Sequence, residues 1–452
     1  MHAGATVAGV FAPCALIPIY NHKDTIARTV HALRAHELPV MIVDDGSDAA
    51  TRDVLDTLVR EVPGVQLLRL PHNQGKGRAL TAGLLAAYEA GYTHALQIDA
   101  DGQHDTGDVP QFLAVARAHP SALICGHAVA EEETATHRKP VKAVADSRLA
   151  VGNEGSLPLY VSADWSNPLP DITRAVLVLH GRLRDADVYF RSARTAQAAA
   201  GDAGRTTIMI VPQFLAAIDV DAHQLPPDTL RWSLVGWEGG DPAEGPRPAS
   251  SFDALDAILA RLADRRLFPN LKQVVVAGHS GGAQVVQRYA IAGKGETALQ
   301  GENIAVRYVV ANPSSYAYFS ADRPEPSIAA ACPGYDDWKY GMDARPAYLA
   351  ALSPAELEQR YVARQVIYLL GQLDTNPNHP ALDKSCMAEA EGPYRYKRGH
   401  AYAAAMAARD NGTPNHLVWD VEGVGHDGDK MLTSPCGLKA LFDLPGCAAA
   451  ER

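Results

Sequence analysis

The stretch VVVAGHSGGAQ, residues 274–284, decides the fold of the larger part of this chain. Its four leading apolar residues predict the end of a buried β-strand, and the apolar spacing that follows predicts a helix. Between them lies Gly-x-Ser-x-Gly, a turn so tight that side chains at Gly278 and Gly282 would clash. The pattern therefore predicts a nucleophile elbow, in which Ser280 presents its hydroxyl group above a parallel sheet.

A serine hydroxyl needs a base to accept its proton, and in this type of site the acid and the histidine follow the serine in the chain. Asp374 comes directly after the strand-like run RQVIYLLGQ and is the predicted acid. His426, in GVGHDG after the strand-like run HLVWDVEG, is the predicted base. Weaker candidates for the two roles are Asp343, Asp383, His400 and His416.

The oxyanion of the reaction needs two hydrogen-bond donors. One is the backbone N–H of Gly281, the residue after the nucleophile. The second is expected in the loop LVLHGRLRDADVYF, after an earlier strand, from the backbone N–H of Arg182 or of Leu183. Arg184 and Asp187 are expected to keep that loop in shape rather than to take part in the chemistry.

With these residues, 156–447 resembles the α/β-hydrolase superfamily, and in particular a bacterial and fungal group of hydrolases with an HG-x-x-R-x-A-x-x-Y-F loop and a G-x-x-DT acid turn. Here these motifs are HGRLRDADVYF and GQLDT, which place the acid at Asp374 and the base at His426. The resemblance implies an esterase-type serine hydrolase that cleaves a carboxylic ester through an acyl-enzyme intermediate, with no cofactor. Its substrate is expected to be a small molecule.

An insertion at about 314–362 separates two strands of the predicted hydrolase domain and is longer than a usual connection. In this superfamily that position often carries a lid over the pocket. Its aromatic residues are Tyr316, Tyr318, Phe319, Tyr335, Trp338 and Tyr340, with Trp232 and Trp237 on an earlier loop. They are expected either to line the pocket or to form the local core of a large loop.

The first 126 residues contain a different set of motifs. Strand and helix patterns alternate, which predicts a parallel sheet covered by helices. The stretches IPIYNH, VDDGSD, NQGKGRAL and QIDADGQHD follow one another along this part. They resemble family-two glycosyltransferases of the GT-A (Rossmann-like) fold, the group that includes dolichol-phosphate mannose synthases.

This second resemblance implies a nucleotide-sugar site. Asp44 and Asp45 end a strand where carboxylates can accept hydrogen bonds from a base and a ribose, and Lys76 places a cation near a diphosphate. Asp99 would also contact the nucleotide sugar. The oxygen ligands expected for Mg²⁺ or Mn²⁺ are Asp99, Asp101 and Gln103.

The glycosyltransferase pattern ends where its acceptor-binding half should begin. Residues 127–155 form a charged connector, expected to be partly helical from 141 to 149, and the hydrolase follows at 156–452. We therefore predict a truncated, transfer-inactive GT-A domain at 1–126 fused to an α/β-hydrolase domain with a lid insertion. The alternatives are a bifunctional glycosyltransferase and deacylase of glycolipid or polysaccharide metabolism, and a module that only binds nucleotide sugars.

Composition narrows the class of protein further. The chain has 452 residues, 47% hydrophobic and 21% charged, as in ordinary globular proteins, and a net charge of −11 argues against nucleic acid as a partner. No apolar run predicts a transmembrane helix, and the uncharged run at 3–20 lacks the basic start of a signal peptide. A cytoplasmic location is expected. Four cysteines near the C-terminal end leave export open, because they are able to form two disulfides: Cys332, Cys386, Cys436 and Cys447.

Overall fold

The computed structural model of the protein describes residues 11–100, 106, 109–118, 139–409 and 415–451. The chain divides into two compact units, Met1–His127 and Ala128–Arg452. Among the helices of the described residues, none has the length and apolar character needed to cross a membrane.

The first unit is a parallel sheet with helices. Its strands are β1 Pro13–Ile19, β2 Val40–Asp44, β3 Val65–Arg69 and β4 His94–Gln97, and its helices are α1 Lys23–Ala35, α2 Ala49–Glu61, α3 Lys76–Glu89 and α4 Val109–Ala118. The strand order is β3-β2-β1-β4, with every pair parallel. Because β1 and β2 are central, both their faces are buried, which is why PCALIPI and VMIVD are almost continuously apolar.

The second unit is built on a larger sheet. Its strands are β5 Ser147–Val151, β6 Gly155–Val161, β7 Arg174–Leu179, β8 Thr207–Pro212, β9 Leu215–Ala216, β10 Arg231–Trp232, β11 Gln273–His279, β12 Ala305–Ala311, β13 Gln365–Gly371 and β14 His416–Val421. Eight of them form one sheet in the order β14-β13-β12-β11-β7-β8-β6-β5, while β9 and β10 form a separate pair. Within the larger sheet, β6 runs in the direction opposite to that of the other seven strands. The carboxyl ends of β7, β8 and β11 to β14 therefore lie at one edge.

Helices cover both faces of this sheet. They are α5 Ala186–Ala199, α6 Gly201–Arg205, α7 Ala217–Ala222, α8 Ser251–Leu262, α9 Gly281–Ala292, α10 Glu296–Gly301, α11 Pro326–Ala331, α12 Pro354–Ala363, α13 Cys386–Glu389, α14 Arg395–Ala407, α15 Gly428–Thr433 and α16 Pro435–Phe442. Alternate residues of the strands enter two separate hydrophobic clusters, one on each face. The predicted α/β class is confirmed in both units, as a Rossmann-like parallel sheet with helices in the first and a larger, mainly parallel sheet covered by helices in the second.

The predicted connector is partly wrong. The helix expected from 141 to 149 is not formed, and Ser147–Val151 is instead strand β5, which pairs with β6 at the edge of the larger sheet. Leu149 and Val151 are buried in the core of the second unit, and this burial favours an extended strand with alternate side chains facing inward. The sheet of the second unit therefore begins before residue 156.

Two disulfides close loops of the second unit. They join Cys332 to Cys386 and Cys436 to Cys447, which is the full set of cysteines for which pairing was expected. Cys14 in β1 is a free, buried thiol, and burial raises its pKa to about 11. Disulfides of this kind are typical of oxidising compartments.

Candidate functional site

Ser280 lies at the sharp turn between β11 and α9. Its backbone has φ 58° and ψ −123°, a conformation that costs a residue with a side chain about 1–3 kcal/mol and that is found mostly at functional sites. The backbone N–H of Ser280 donates to Ala311 O at 3.0 Å. A Cβ on Gly278 would collide with the backbone of Gly282, and a Cβ on Gly282 would collide with the carbonyl oxygens of Leu179 and His180, so neither position has room for a side chain.

Ser280, His426 and Asp374 form one chain of hydrogen bonds. Ser280 Oγ lies 3.0 Å from His426 Nε2, and His426 Nδ1 lies 2.8 Å from Asp374 Oδ2. Each residue follows the carboxyl end of a different parallel strand, β11, β14 and β13 respectively, and the sheet brings these ends together at one edge. In the tautomer that donates from Nδ1 to the carboxylate, Nε2 accepts the proton of the serine hydroxyl.

The electrostatics of this chain keep the imidazole neutral. Burial lowers the pKa of His426 well below 6.5, and the nearby Arg395 and His379 lower it further. Burial raises the pKa of Asp374 above its usual value, while the cation of Arg395 opposes that rise. A neutral imidazole next to a serine hydroxyl is the protonation state that a general base needs.

The loop after β7 packs against the first turn of α9. A Cβ on Gly281 would lie 3.1 Å from the backbone N of Arg182 and 2.8 Å from Glu238 Oε1, so a side chain here would have to displace the Glu238 carboxylate. The guanidinium group of Arg182 donates to Glu238 twice, both bonds being 3.0 Å. Lys339 Nζ lies 3.4 Å from the same carboxylate.

Of the two residues expected to shape this loop, one does so. Arg184 and Asp219 are both fully buried and form an ion pair of 2.6 Å that connects the loop to the start of α7. Asp187 instead pairs with Arg191 one turn along α5, on the surface.

The weaker candidates for acid and base lie away from Ser280. Asp383 accepts a hydrogen bond from Tyr340 Oη at 2.8 Å, His400 pairs with Asp420, and His416 lies 2.8 Å from Tyr368 Oη. The remaining candidate, Asp343, accepts a bond from the backbone N–H of Trp338 through its carbonyl oxygen.

Three residues near the site carried no signal in the sequence. Arg395 contacts Asp374, the His379 ring lies 5.0 Å from the His426 ring, and Glu238 binds Arg182. Each comes from a helix or loop whose sequence has no motif, and each is far along the chain from the group it contacts. Only the tertiary structure identifies them.

The aromatic residues of the insertion belong largely to the core. Tyr316, Tyr318 and Tyr340 are at most 2% exposed. The ring of Tyr316 stacks on that of Tyr402 in α14 at 4.5 Å, and Trp338 Nε1 donates to Gly239 O at 2.6 Å. These side chains stabilise the insertion against the body of the second unit, and its role as a lid stays a prediction.

The predicted nucleotide-sugar residues surround a pocket of about 380 Å³ at the carboxyl edge of the first sheet. Its lining is Pro18, Ile19, Tyr20, His22, Asp45, Asn73, Gly75, Lys76, Ala79, Asp99 and Ala100. Asp45, Lys76 and Asp99 are thus brought together. Asp44 is fully buried beside the pocket, where Oδ1 accepts from Ser47 N at 2.9 Å and Oδ2 lies 3.5 Å from Arg69 Nε.

The polar groups of this pocket contact one another. Asp45 accepts from the backbone N–H groups of Gln74 and Gly75, both at 2.8 Å. Lys76 Nζ lies 2.7 Å from Asp99, whose carboxylate also accepts from Gln97.

A metal site is not assembled by the residues that the structure describes. Asp101 and Gln103 lie outside them, and Asp99 is paired with the ammonium group of Lys76. No group of three or more His, Cys, Asp or Glu suitable for a metal ion occurs in the described ranges. The Mg²⁺ or Mn²⁺ site stays a prediction.

Comparison with known sequences shows that the first unit is similar to glycosyltransferases. Residues 14–173 match the family model "Glycosyl transferase family 2". An undecaprenyl-phosphate mannosyltransferase of Micrococcus luteus is 36% identical over 104 residues, which are 23% of this chain and 43% of that protein. A UDP-N-acetylglucosamine–dolichyl-phosphate N-acetylglucosaminyltransferase of Methanococcus voltae is 32% identical over 22% of this chain and 44% of its own length. The chain thus spans less than half of these relatives.

Solved structures similar to this chain include a poly(aspartic acid) hydrolase from Sphingomonas sp. KT-1, at 20% identity and TM-score 0.47 over 67% of this chain and 99% of that one. A poly(3-hydroxybutyrate) depolymerase from Bordetella parapertussis has 23% identity and TM-score 0.47 over 68% of this chain and 94% of that one.

Proposed function

We propose that the second unit is a serine hydrolase that cleaves a carboxylic ester. The observation that carries the proposal is the pair of hydrogen bonds at His426, 3.0 Å to Ser280 Oγ and 2.8 Å to Asp374 Oδ2, at a strained nucleophile elbow. A hydroxyl, a neutral base and a carboxylate that orients the base are the groups that acyl transfer to serine requires.

The reaction follows from these positions. His426 Nε2 accepts the hydroxyl proton of Ser280 while Ser280 Oγ attacks the carbonyl carbon of the ester. The π electrons of the carbonyl group move to the carbonyl oxygen, which becomes the oxyanion. The resulting imidazolium is stabilised by Asp374 and donates its proton to the departing alcohol, which leaves an acyl-serine ester. Water then repeats the sequence with the same base, releasing the carboxylic acid and regenerating the serine.

The oxyanion is proposed to bind the backbone N–H groups of Gly281 and Arg182. The close packing of these residues and the position of Gly281 in the first turn of α9 support the proposal. The positive end of the helix dipole there favours a developing negative charge. The ion pair with Glu238 keeps the Arg182 loop against α9.

The test is hydrolysis of p-nitrophenyl acetate and butyrate by the intact chain and by Ser280→Ala. We expect kcat to fall by about 10⁴-fold or more in the variant, because the acyl-enzyme can no longer form. Ser166→Ala, an exposed serine, is the matched control and should retain full activity. Equal rates for Ser280→Ala and the intact chain would contradict the proposal.

For the first unit, we propose a domain that retains a nucleotide-sugar pocket and has lost sugar transfer. The pocket with Asp45, Lys76 and Asp99 and the family match over residues 14–173 support it. Strands β5 and β6 lie within the matched range and pair in the larger sheet of the second unit, so these described residues do not belong to an acceptor-binding half. If a metal binds, Asp99, Asp101 and Gln103 would be its ligands, and the ion would neutralise a diphosphate.

Calorimetric titration of the intact chain with a nucleotide sugar, with and without Mn²⁺, tests this second proposal. Metal-dependent heat of binding that is lost in Asp99→Asn, without sugar transfer to a polyprenyl phosphate, is the expected result. Binding together with transfer would favour the bifunctional alternative, and no binding would indicate an inert remnant.

A further inference from the structure

Arg395 is a fully buried cation beside the candidate triad. It is the first residue of α14, its side chain is 0% exposed, and Nη1 lies 3.5 Å from Asp374 Oδ1. The other guanidinium nitrogens donate to Ser314 Oγ, at 2.9 Å, and to the carbonyl oxygen of Ala381. Because three groups from two segments bind it, the guanidinium group has one defined position.

Arg395 and His426 contact different oxygen atoms of the Asp374 carboxylate. Oδ2 lies 2.8 Å from His426 Nδ1, while Oδ1 faces Arg395 Nη1. The backbone N–H of Tyr396 also donates to the carbonyl oxygen of Asp374 at 3.2 Å, so the start of α14 binds both the main chain and the side chain of the acid. A carboxylate bound on one oxygen cannot rotate away from the imidazole on the other.

Two further imidazoles lie close to that of His426. The ring of His279 lies 4.6 Å from it and that of His379 lies 5.0 Å from it. The titratable and charged groups around His426 are Asp374 after β13, His379 in the following loop, Arg395 in α14, His279 at the end of β11 with Tyr189 of α5 bound to it, and Asp427 in its own loop. Arg395 is the only permanent cation in this set.

We propose that Arg395 is a positioning residue of the triad, which binds Asp374 Oδ1 so that Oδ2 orients His426, and whose charge disfavours protonation of the base in mildly acidic solution. This inference rests on the proposed hydrolase function. Burial lowers the pKa of His426 and of His379, and the cation of Arg395 lowers both further, while it opposes the rise that burial causes in the pKa of Asp374. Loss of the cation therefore makes the imidazolium easier to form and the base less available at low pH.

Arg398 provides a matched control on the same helix. It is also fully buried, one turn after Arg395, and it too contacts Ser314, donating to its carbonyl oxygen at 2.6 Å. It also donates to the carbonyl oxygens of Gly392 and Asp383. Substitution of either arginine removes one buried guanidinium group from α14, but only one of the two groups contacts Asp374.

The experiment measures kcat and KM for p-nitrophenyl butyrate from about pH 4 to about pH 9 in the intact chain, Arg395→Gln, Arg395→Lys and Arg398→Gln. In the intact chain the acid limb of kcat should lie below pH 6.5. In Arg395→Gln it should move up by about one pH unit, with a fall in kcat of at least about tenfold and little change in KM. Arg395→Lys should restore the limb in part, and Arg398→Gln should leave it in place.

An unchanged limb in Arg395→Gln, or an equal shift in Arg398→Gln, overturns the proposal. Titration of the His426 imidazole by NMR is a readout that needs no turnover. If the intact chain hydrolyses no ester, the proposed function fails, yet a higher His426 pKa in Arg395→Gln would still support the positioning role. An unchanged His426 pKa there would overturn it. If Arg395→Gln does not fold, Arg395→Met, which also removes the charge, serves the same comparison.

Discussion

The two units place reactive side chains at the same kind of location, the carboxyl edge of a parallel sheet, with different results. In the second unit, residues from three strand ends converge on one another, so that Ser280, His426 and Asp374 share two hydrogen bonds. In the first unit, Asp45 accepts from two backbone N–H groups of its own neighbouring loop, and Lys76 pairs with Asp99.

The two sites differ in which of their groups could still bind a substrate or a metal ion. The hydrogen-bond chain of the second unit ends at the hydroxyl group of Ser280, at the turn between β11 and α9. In the first unit, a metal ion would have to compete with Lys76 for Asp99, and a diphosphate would have to compete with Asp99 for Lys76. Two motifs that are equally recognisable in the sequence thus correspond to sites that differ in whether their charged groups are already paired with one another.

The largest expected effect is on the rate of ester hydrolysis, which should depend on the carboxylate of the second unit and not on that of the first. Asp374→Asn should lower kcat by about 10⁴-fold, because an amide stabilises the wrong tautomer of His426 and cannot stabilise the imidazolium. Asp99→Asn, the counterpart in the first unit, should leave ester hydrolysis unchanged. Steady-state kinetics with p-nitrophenyl butyrate measures both, and equal losses in the two variants would contradict the division of roles.

The next effect concerns stability, because the disulfides found in the described residues both lie in the second unit. Cys332 and Cys386 are 54 residues apart and Cys436 and Cys447 are 11 apart. Loop-closure entropy predicts losses of about 4 and about 3 kcal/mol, respectively, when each pair is replaced by serine. In thermal unfolding, the midpoint of the second unit alone should fall. The fall should be larger when the 332–386 pair is replaced than when the 436–447 pair is replaced. A fall confined to the first unit would refute this.

The smallest effect, taken for each residue involved, is a dependence of stability on pH. Burial lowers the pKa of His279 and His426 well below 6.5 and that of His180 to about 4. The unfolded chain binds these protons first, so the stability of the second unit, fully present above about pH 6.5, is lost as the pH falls below it. The slope should be about 1.4 kcal/mol per pH unit for each histidine.

Urea unfolding at several pH values measures that slope. His279→Gln should reduce it by the share of one histidine while leaving the stability at high pH comparatively little changed. A second unit whose unfolding free energy stays constant between about pH 6.5 and about pH 5 would show that these imidazoles are protonated in the folded state.

Prediction from sequence succeeded where local patterns carry the information. The apolar runs of β1, β7, β11 and β13 and the Gly-x-Ser-x-Gly turn predicted strands and an elbow that the structure contains. It failed at Ser147–Val151, where a charged, short segment is a strand because a neighbouring strand and a core position are available to it. Edge strands depend on such partners, which local propensity does not record.

The sequence by itself determined the class of each unit, the order of the strands along the chain and the identity of Ser280, Asp374 and His426 as residues that follow strands. These follow from periodicity and turn chemistry, which act between near neighbours. Only the tertiary structure decided that Asp374, rather than Asp383, contacts His426, and that Arg395 and Glu238 support the site. Such contacts join residues 21 to 56 positions apart, and their geometry depends on the packing of the whole sheet and its helices.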